Sequence, residues 1–223
     1  ELPASLRELL DPDGALTSFA WDGNSNLTSV TPPGQPAHGQ SFTPVDLLSA
    51  YTPPSVPGVP VPSTLFAYNL DKQLTQTTRP DGLLVGRTYD SAGKLDLLTT
   101  PAGNVDYDYF GLTPCPGCAP GRLQRITDPS GVVLDHAYDG LLLKSLTWSG
   151  AVSGTVSFGH DASFRVTSET VTVGANTSSV AFGLDNDDLL ICASPSTCSP
   201  AGTDALKITL NAGNGLVTGS THG

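Results

Sequence analysis

Three leucines set the phase of this chain. Leu74, Leu95 and Leu123 are each followed by Thr at plus four (Thr78, Thr99, Thr127), Pro at plus six (Pro80, Pro101, Pro129) and Gly at plus eight (Gly82, Gly103, Gly131). An aromatic stands six residues before the leucine in Tyr68 to Leu74 and Tyr89 to Leu95. Looser copies keep that interval at Trp21 to Leu27, Phe42 to Leu48, His160 to Val166 and Leu184 to Leu190. The aromatic position recurs at 21, 42, 68, 89, 109, 138, 160 and 184, in steps of 20 to 29 residues. A period of that size marks a repeat architecture, in which no unit can bury its apolar face alone. The two longest steps contain insertions, the proline-rich 53–62 and "LTPCPGCAP" at 112–120.

Within a unit, two turn signals alternate with two short runs of alternating apolar residues, the pattern of hairpins in series. In the clearest copy the pattern predicts a strand over 84–89, a turn at "DSAG" (90–93), a return strand over 94–100, a second turn at "PAGN" (101–104) and a strand over 105–110. Asp at the head of the first turn can accept from the backbone two residues on, and Gly93 supplies the positive φ that other residues avoid. The aromatic-Asp pairs Tyr89-Asp90 and Tyr138-Asp139 then need no catalytic explanation. In the second turn Pro sets φ and Gly closes, so "TPAG", "RPDG", "DPSG" and "DPDG" (11–14) read as one device in four spellings. Tyr68, Tyr89, Tyr109 and Tyr138 are expected to stack along one face with the leucine anchors, and a sheet this poor in apolar residues is expected to curl as a single layer.

"YDSAGKLDLLTTPAG", "RITDPSGVVLDHAYDG" and "YNLDKQLTQTTRPDG" resemble the tyrosine-aspartate (YD) repeat of the Rhs family. The resemblance covers nearly the whole chain, is strongest from Tyr68 to Gly140 and weakens after Phe158. It implies an all-β fold of repeated antiparallel hairpins in a curved, spiralling sheet, part of a hollow shell such as those of bacterial Rhs toxins, insecticidal toxin complexes and animal teneurins. In those families the shell is a container or scaffold, and toxic chemistry sits in a separate domain. No equivalent of the segment that closes an Rhs core is found, and the chain lacks Met and starts inside a repeat, so it reads as a stretch of a longer polypeptide. Residues 1–223 are expected to form one continuous array of about eight repeats.

The net charge of −11 opposes nucleic-acid binding, where affinity comes from Lys and Arg releasing counterions. No apolar run reaches the roughly 18 residues of a membrane helix, so membrane insertion is not expected. The cysteines form two local pairs, Cys115 with Cys118 and Cys192 with Cys198, which read best as disulfides pinning enlarged loops in an oxidising compartment. A four-cysteine zinc site or a redox role for Cys115 and Cys118 fits the spacing less well. The turns "DPDG" and "DNDD" (185–188) lack the distal Glu of a common calcium loop. His38, His136, His160 and His222 belong to no metal or nucleophile motif, and His160 replaces the repeat's tyrosine. Asn26 and Asn176 begin glycosylation triplets, which a bacterial source would leave unmodified.

Catalytic residues, metals and cofactors are therefore not expected. The expectation is a non-enzymatic scaffold at the cell surface or outside the cell, joined through its sheet edges to further repeats or other copies, and enclosing a partner such as a toxin. The alternative is an adhesin that binds glycans, drawn from the teneurin side of the resemblance and from aromatics such as Trp148 and Tyr51.

Overall fold

In the computed structural model the described residues are 6–111, 119–198 and 204–222, and none of them is helical. They form strands and turns in two compact units, divided between Val105 and Asp106. The first unit holds β1 (Glu8–Leu10), β2 (Leu16–Trp21), β3 (Leu27–Thr31), β4 (His38–Phe42), β5 (Leu48–Thr52), β6 (Thr64–Tyr68), β7 (Leu74–Thr78), β8 (Leu84–Tyr89) and β9 (Leu95–Thr100). The division falls inside β10 (Gly103–Tyr109). The second unit continues with β11 (Leu123–Thr127), β12 (Val133–Asp139), β13 (Leu142–Ser149), β14 (Gly154–His160), β15 (Val166–Val173), β16 (Asn176–Leu184), β17 (Leu190–Ser194), β18 (Leu206–Leu210) and β19 (Val217–His222).

Within each unit every strand pairs antiparallel with the next in sequence, from β1 to β9 and from β10 to β19. The all-β hairpin array expected from the repeat is therefore present. The six-residue interval is the closing pair of each hairpin. Tyr89 lies opposite Leu95, Tyr68 opposite Leu74, Phe42 opposite Leu48 and Trp21 opposite Leu27, each with a register shift just before the aromatic. His160 opposite Val166 and Leu184 opposite Leu190 keep the same arrangement. One extra residue on the returning side makes a bulge and strengthens the local twist.

The loop explains the bulge. At the end of β8 the Asp90 N–H donates to the Lys94 carbonyl at 2.8 Å and the Gly93 N–H to the Asp90 carbonyl at 2.9 Å, with Gly93 at φ 78°. This is a type I turn followed by a left-handed residue, the common three-residue hairpin loop. The same bonds join Asp161 to Arg165 and Phe164, Asp185 to Leu189 and Asp188, and Asn69 to Gln73 and Lys72.

Burial is shallow in both units. Among the described residues only Ala119, Tyr138, Cys192, Ser194 and Ala205 are buried, and the remaining strand residues are half-buried or exposed. A single layer offers each side chain neighbours on its own face only, so cohesion rests on the ladders and on the joints between hairpins.

Candidate functional site

The recurring site of this protein is the aromatic end of each hairpin. The Tyr89 hydroxyl donates to the Leu74 carbonyl at 2.7 Å, that of Tyr68 to the Leu48 carbonyl at 2.8 Å and that of Tyr138 to the Leu123 carbonyl at 3.0 Å. The Trp21 indole N–H makes the equivalent bond to the Leu6 carbonyl at 2.9 Å. For the three tyrosines the acceptor is the anchor leucine of the hairpin before. The ladder between successive hairpins does not reach this end: β7 and β8 pair only from Gln76 with Gly86 to Thr78 with Leu84, and β11 and β12 only from Arg125 with Asp135 to Thr127 with Val133. The aromatic donor bridges the gap that results. An aromatic with a polar tip suits that role, since its ring covers apolar surface while its N–H or O–H reaches a backbone acceptor.

Tyr68 and Tyr89 do not stack on one another as expected. Among the described residues no ring contact joins Tyr68 to Tyr89, because rings on successive hairpins lie two strand spacings apart, about 9.5 Å, beyond the 4.5–7 Å of aromatic pairs. Tyr138 instead meets Phe110 edge-on at 6.0 Å and the His136 ring at 6.4 Å, with the Arg122 guanidinium 5.8 Å from its centroid.

The aspartates beside the aromatics serve the turns. The Asp90 carboxylate accepts from the Ala92 and Lys94 N–H groups, both at 2.8 Å. Asp22, Asp161 and Asp185 accept from the residues two and four further on in the same way. Asp128, at the head of the "DPSG" turn, accepts from Ser130 and Val132, so the aromatic-Asp turn and the Asp-Pro turn share one geometry. At Asp22, Asp128 and Asp161 the bonds hold the carboxyl below the usual carboxylate range. The main causes are the Asn26 amide for Asp22, the Ser130 hydroxyl for Asp128 and the Arg165 guanidinium for Asp161.

A second set of bonds links one turn to the next, through the residue four positions into a turn. The Asn26 amide donates to the Asp46 carboxylate at 2.8 Å, the Gln73 amide to the Gly93 carbonyl at 2.8 Å, and the Arg165 guanidinium to the Asp188 carboxylate at 2.9 Å. The acceptor each time is the left-handed residue of the following turn. Nothing in the spacing of the repeat signals these long polar side chains, because Asn, Gln and Arg share only a donor and reach.

Three expected repeat positions lie differently from the sequence reading. Pro101 and Gly103 do not build the turn made by Pro129 and Gly131. β9 and β10 are separated by Pro101 and Ala102 alone, Gly103 is already in β10 at φ 127°, and the Thr100 hydroxyl donates to its carbonyl at 2.9 Å. The expected four-residue turn 101–104 is thus two residues. Asp139 heads a shorter loop than Asp90 does. It pairs with Leu142 at the end of β12, and the loop is Gly140 and Leu141, with Gly140 at φ 57°. Leu95 and Leu123 close their hairpins opposite Tyr89 and Tyr109.

Between Tyr109 and Leu123 the turn frame carries the insertion. The Phe110 N–H donates to the Arg122 carbonyl and the Gly121 N–H to the Phe110 carbonyl, both at 2.9 Å, as Asp90, Lys94 and Gly93 do in the plain turn. Cys115 and Cys118 lie in that insertion, outside the described residues. Cys192 and Cys198 form a disulfide with Cα atoms 5.7 Å apart. That bond removes both thiols from any four-cysteine zinc site. Among the described residues no three His, Cys, Asp or Glu side chains gather as metal ligands.

The repeated hairpin with a bridging aromatic defines a β-shell wall of the YD-repeat class. The chain belongs to the teneurin YD-shell family, whose model matches residues 5–187. Its fold is similar to a crystal structure of TcdB2-TccC3 without the hypervariable C-terminal region, at 13% identity and TM-score 0.68, covering 93% of this chain and 12% of that one. It is similar to TcdB2-TccC3-Cdc42 to the same degree, over 95% of this chain and 12% of that one. A Photorhabdus luminescens Tc holotoxin pore carrying the TccC3 mutation D651A matches at 11% identity and TM-score 0.58, over 95% of this chain and 13% of that one. The chain thus spans about an eighth of the length of these structures. No curated protein matches it. The chain is a stretch of a structural shell fold.

Proposed function

We propose that the chain is a length of wall in a larger, non-enzymatic shell outside the cell or at its surface, that residues 1–223 form one continuous array of it, and that the shell encloses a partner such as a toxin. The observation that carries this reading is the joint itself. The aromatic that closes one hairpin is bonded to the anchor of the hairpin before, as in Tyr89 to Leu74, so the residues that recur most regularly are consumed in holding neighbours together. The turn-heading aspartates are likewise occupied by backbone N–H groups rather than directed at a substrate. Extra copies or repeats would add through the terminal strands, whose unpaired ladder groups favour strand addition.

A glycan array probed with the purified chain, together with negative-stain micrographs, tests the proposal. A wall segment gives no selective glycan binding and forms open curved sheets or edge-to-edge polymers. Selective, saturable binding to a glycan would overturn it in favour of an adhesin.

A further inference from the structure

Two joints in the second unit, at Leu184 and Leu210, lack an aromatic. Leu210 closes the β18–β19 hairpin opposite Val217 with the same register shift that Tyr89 shows opposite Leu95, yet it has no hydrogen to donate to the hairpin before. At Leu184, also non-aromatic, the gap is closed from the other side by Arg165, whose guanidinium donates to the Asp185 carbonyl at 3.0 Å. Leu210 has no counterpart to that arginine: the Asn211 carbonyl, which follows it as Asp185 follows Leu184, bonds within its own turn to the Gly215 N–H at 2.8 Å. The ladder of β17 and β18 consists of Cys192 with Lys207 and Ala193 with Leu206, and at the turn end the contact is apolar, with Leu189 against Gly215.

The space between them is a cleft of about 550 Å³, walled by Leu189, Ile191, Ile208 and Leu210, with Asp187 and Asn211 among its polar lining. That volume lies within the ~300–1,000 Å³ of small-ligand sites. The Cys192–Cys198 disulfide forms part of the wall and holds β17 to the loop that follows it. Asp187 has an exposed carboxylate that makes no hydrogen bond or ion pair with another described residue, and so is open to an outside donor.

We propose that this cleft binds a phenol ring, the side chain type that fills the corresponding joints elsewhere in the array. The ring packs against Ile191, Ile208 and Leu210, and the hydroxyl donates to the Asp187 carboxylate. An ionised acceptor makes that hydrogen bond stronger than a neutral pair would. The cleft is larger than a phenol alone and leaves room for flanking atoms, so a tyrosyl residue in an extended peptide and a free phenolic molecule both carry the required chemistry. The inference is independent of the wall reading, since a wall that binds no glycan can still hold this cleft.

The test is titration of the purified chain with p-cresol and with N-acetyltyrosinamide, followed by the methyl NMR signals of Ile191, Ile208 and Leu210. Saturable shifts are expected, with N-acetylphenylalaninamide at least fivefold weaker because it lacks the hydroxyl. Binding of N-acetyltyrosinamide as tightly as p-cresol assigns the site to peptide tyrosine, and binding of p-cresol alone assigns it to small phenols. Leu210→Tyr restores the repeat's own aromatic and is expected to reduce affinity at least tenfold while keeping the far-ultraviolet spectrum. Asp187→Ala, on the exposed rim, provides a second variant whose folding is not at stake. It should erase the preference for phenol over phenyl. Absence of saturable binding by both phenols, or undiminished binding in Leu210→Tyr, would overturn the proposal. Equal binding of n-butylammonium would also overturn it, because the cleft would then be reading charge and not the ring.

Discussion

The Tyr89 hydroxyl meets the Leu74 carbonyl at 2.7 Å, and Leu74 is also the residue that closes the previous hairpin opposite Tyr68. Leu48, Leu74 and Leu123 thus each serve two hairpins, one through pairing and one through the carbonyl.

Removing a single hydroxyl tests that arrangement. Tyr89→Phe keeps the ring and loses one bond, so it should cost about 0.5–1.5 kcal/mol. Tyr138→Phe, at the one buried tyrosine, should cost about 1–3 kcal/mol, since the Leu123 carbonyl is left with less access to water. Urea denaturation of the variants beside the parent chain measures both, and equal midpoints for all three proteins would refute the joint's role.

The left-handed turn position yields two substitutions of opposite sign. Gly93 has φ 78° and a side chain there would meet the Gln73 amide at 3.3 Å, so Gly93→Ala should destabilise by about 1–2 kcal/mol. Phe164 occupies the same position at φ 66° and is 71% exposed. Phe164→Gly removes that cost and restores about 0.5–1 kcal/mol of backbone entropy to the unfolded chain. A small net stabilisation, visible as a higher melting temperature, is expected.

The disulfide depends on a glycine from the neighbouring strand. A Cβ on Gly183 would stand 3.1 Å from the Cβ atoms of both Cys192 and Cys198, so Gly183→Ala should cost about 1–3 kcal/mol through overpacking. The double variant Cys192→Ser with Cys198→Ser should lose about 2 kcal/mol, the loop-closure contribution of so short a ring. Thermal melts with and without reductant check both. The parent chain should soften on reduction and the double-serine variant should not respond through this pair.

Acid should loosen the turns. The carboxyls of Asp22, Asp46, Asp128 and Asp161 are held below their ordinary value of 3.8, chiefly by side-chain donors: Asn26 for Asp22 and Asp46, Ser130 for Asp128 and Arg165 for Asp161. A group with a lowered folded pKa contributes fully above its unfolded pKa, and the contribution is lost as pH falls through the folded value. Stability from these four should therefore be level between about pH 7 and pH 5 and decline below about pH 4. Melting curves from pH 7 to pH 2 should show that decline. Asp161→Asn should make it shallower, and a slope unchanged by the substitution would refute the assignment at that turn.

The hairpin frame was legible in the sequence because its loop has a fixed length. A three-residue loop with one bulge always puts the closing pair six residues apart, so the interval from Tyr89 to Leu95 survives even where Leu184 and Leu190 replace the usual letters. The turn type was legible at Asp90 for a similar reason: the acceptor must be short and lie at the head of the turn. What the letters concealed was their dependence on context. "TPAG" spells the same as "DPSG" yet makes a two-residue loop, since Thr100 uses its hydroxyl on Gly103 where Asp128 uses its carboxylate on Ser130 and Val132. Lys72 and Phe164 at positive φ were equally concealed, because bonds from the head of the turn hold the backbone whatever side chain follows. The bridges from Tyr89 to Leu74 and from Gln73 to Gly93 were out of reach, for they join residues 15 and 20 positions apart that meet only once the hairpins stand side by side.

The frame held by Phe110, Gly121 and Arg122 has a wider consequence. Its two backbone bonds match those of the plain turn although a much longer stretch of chain runs between them. A ring of this kind works as a socket: polypeptide can be spliced into it or trimmed from it without re-threading any strand. The length between the two ends of such a frame is therefore free to differ from copy to copy while the strand pairing stays constant, and this socket is a natural place to graft foreign sequence.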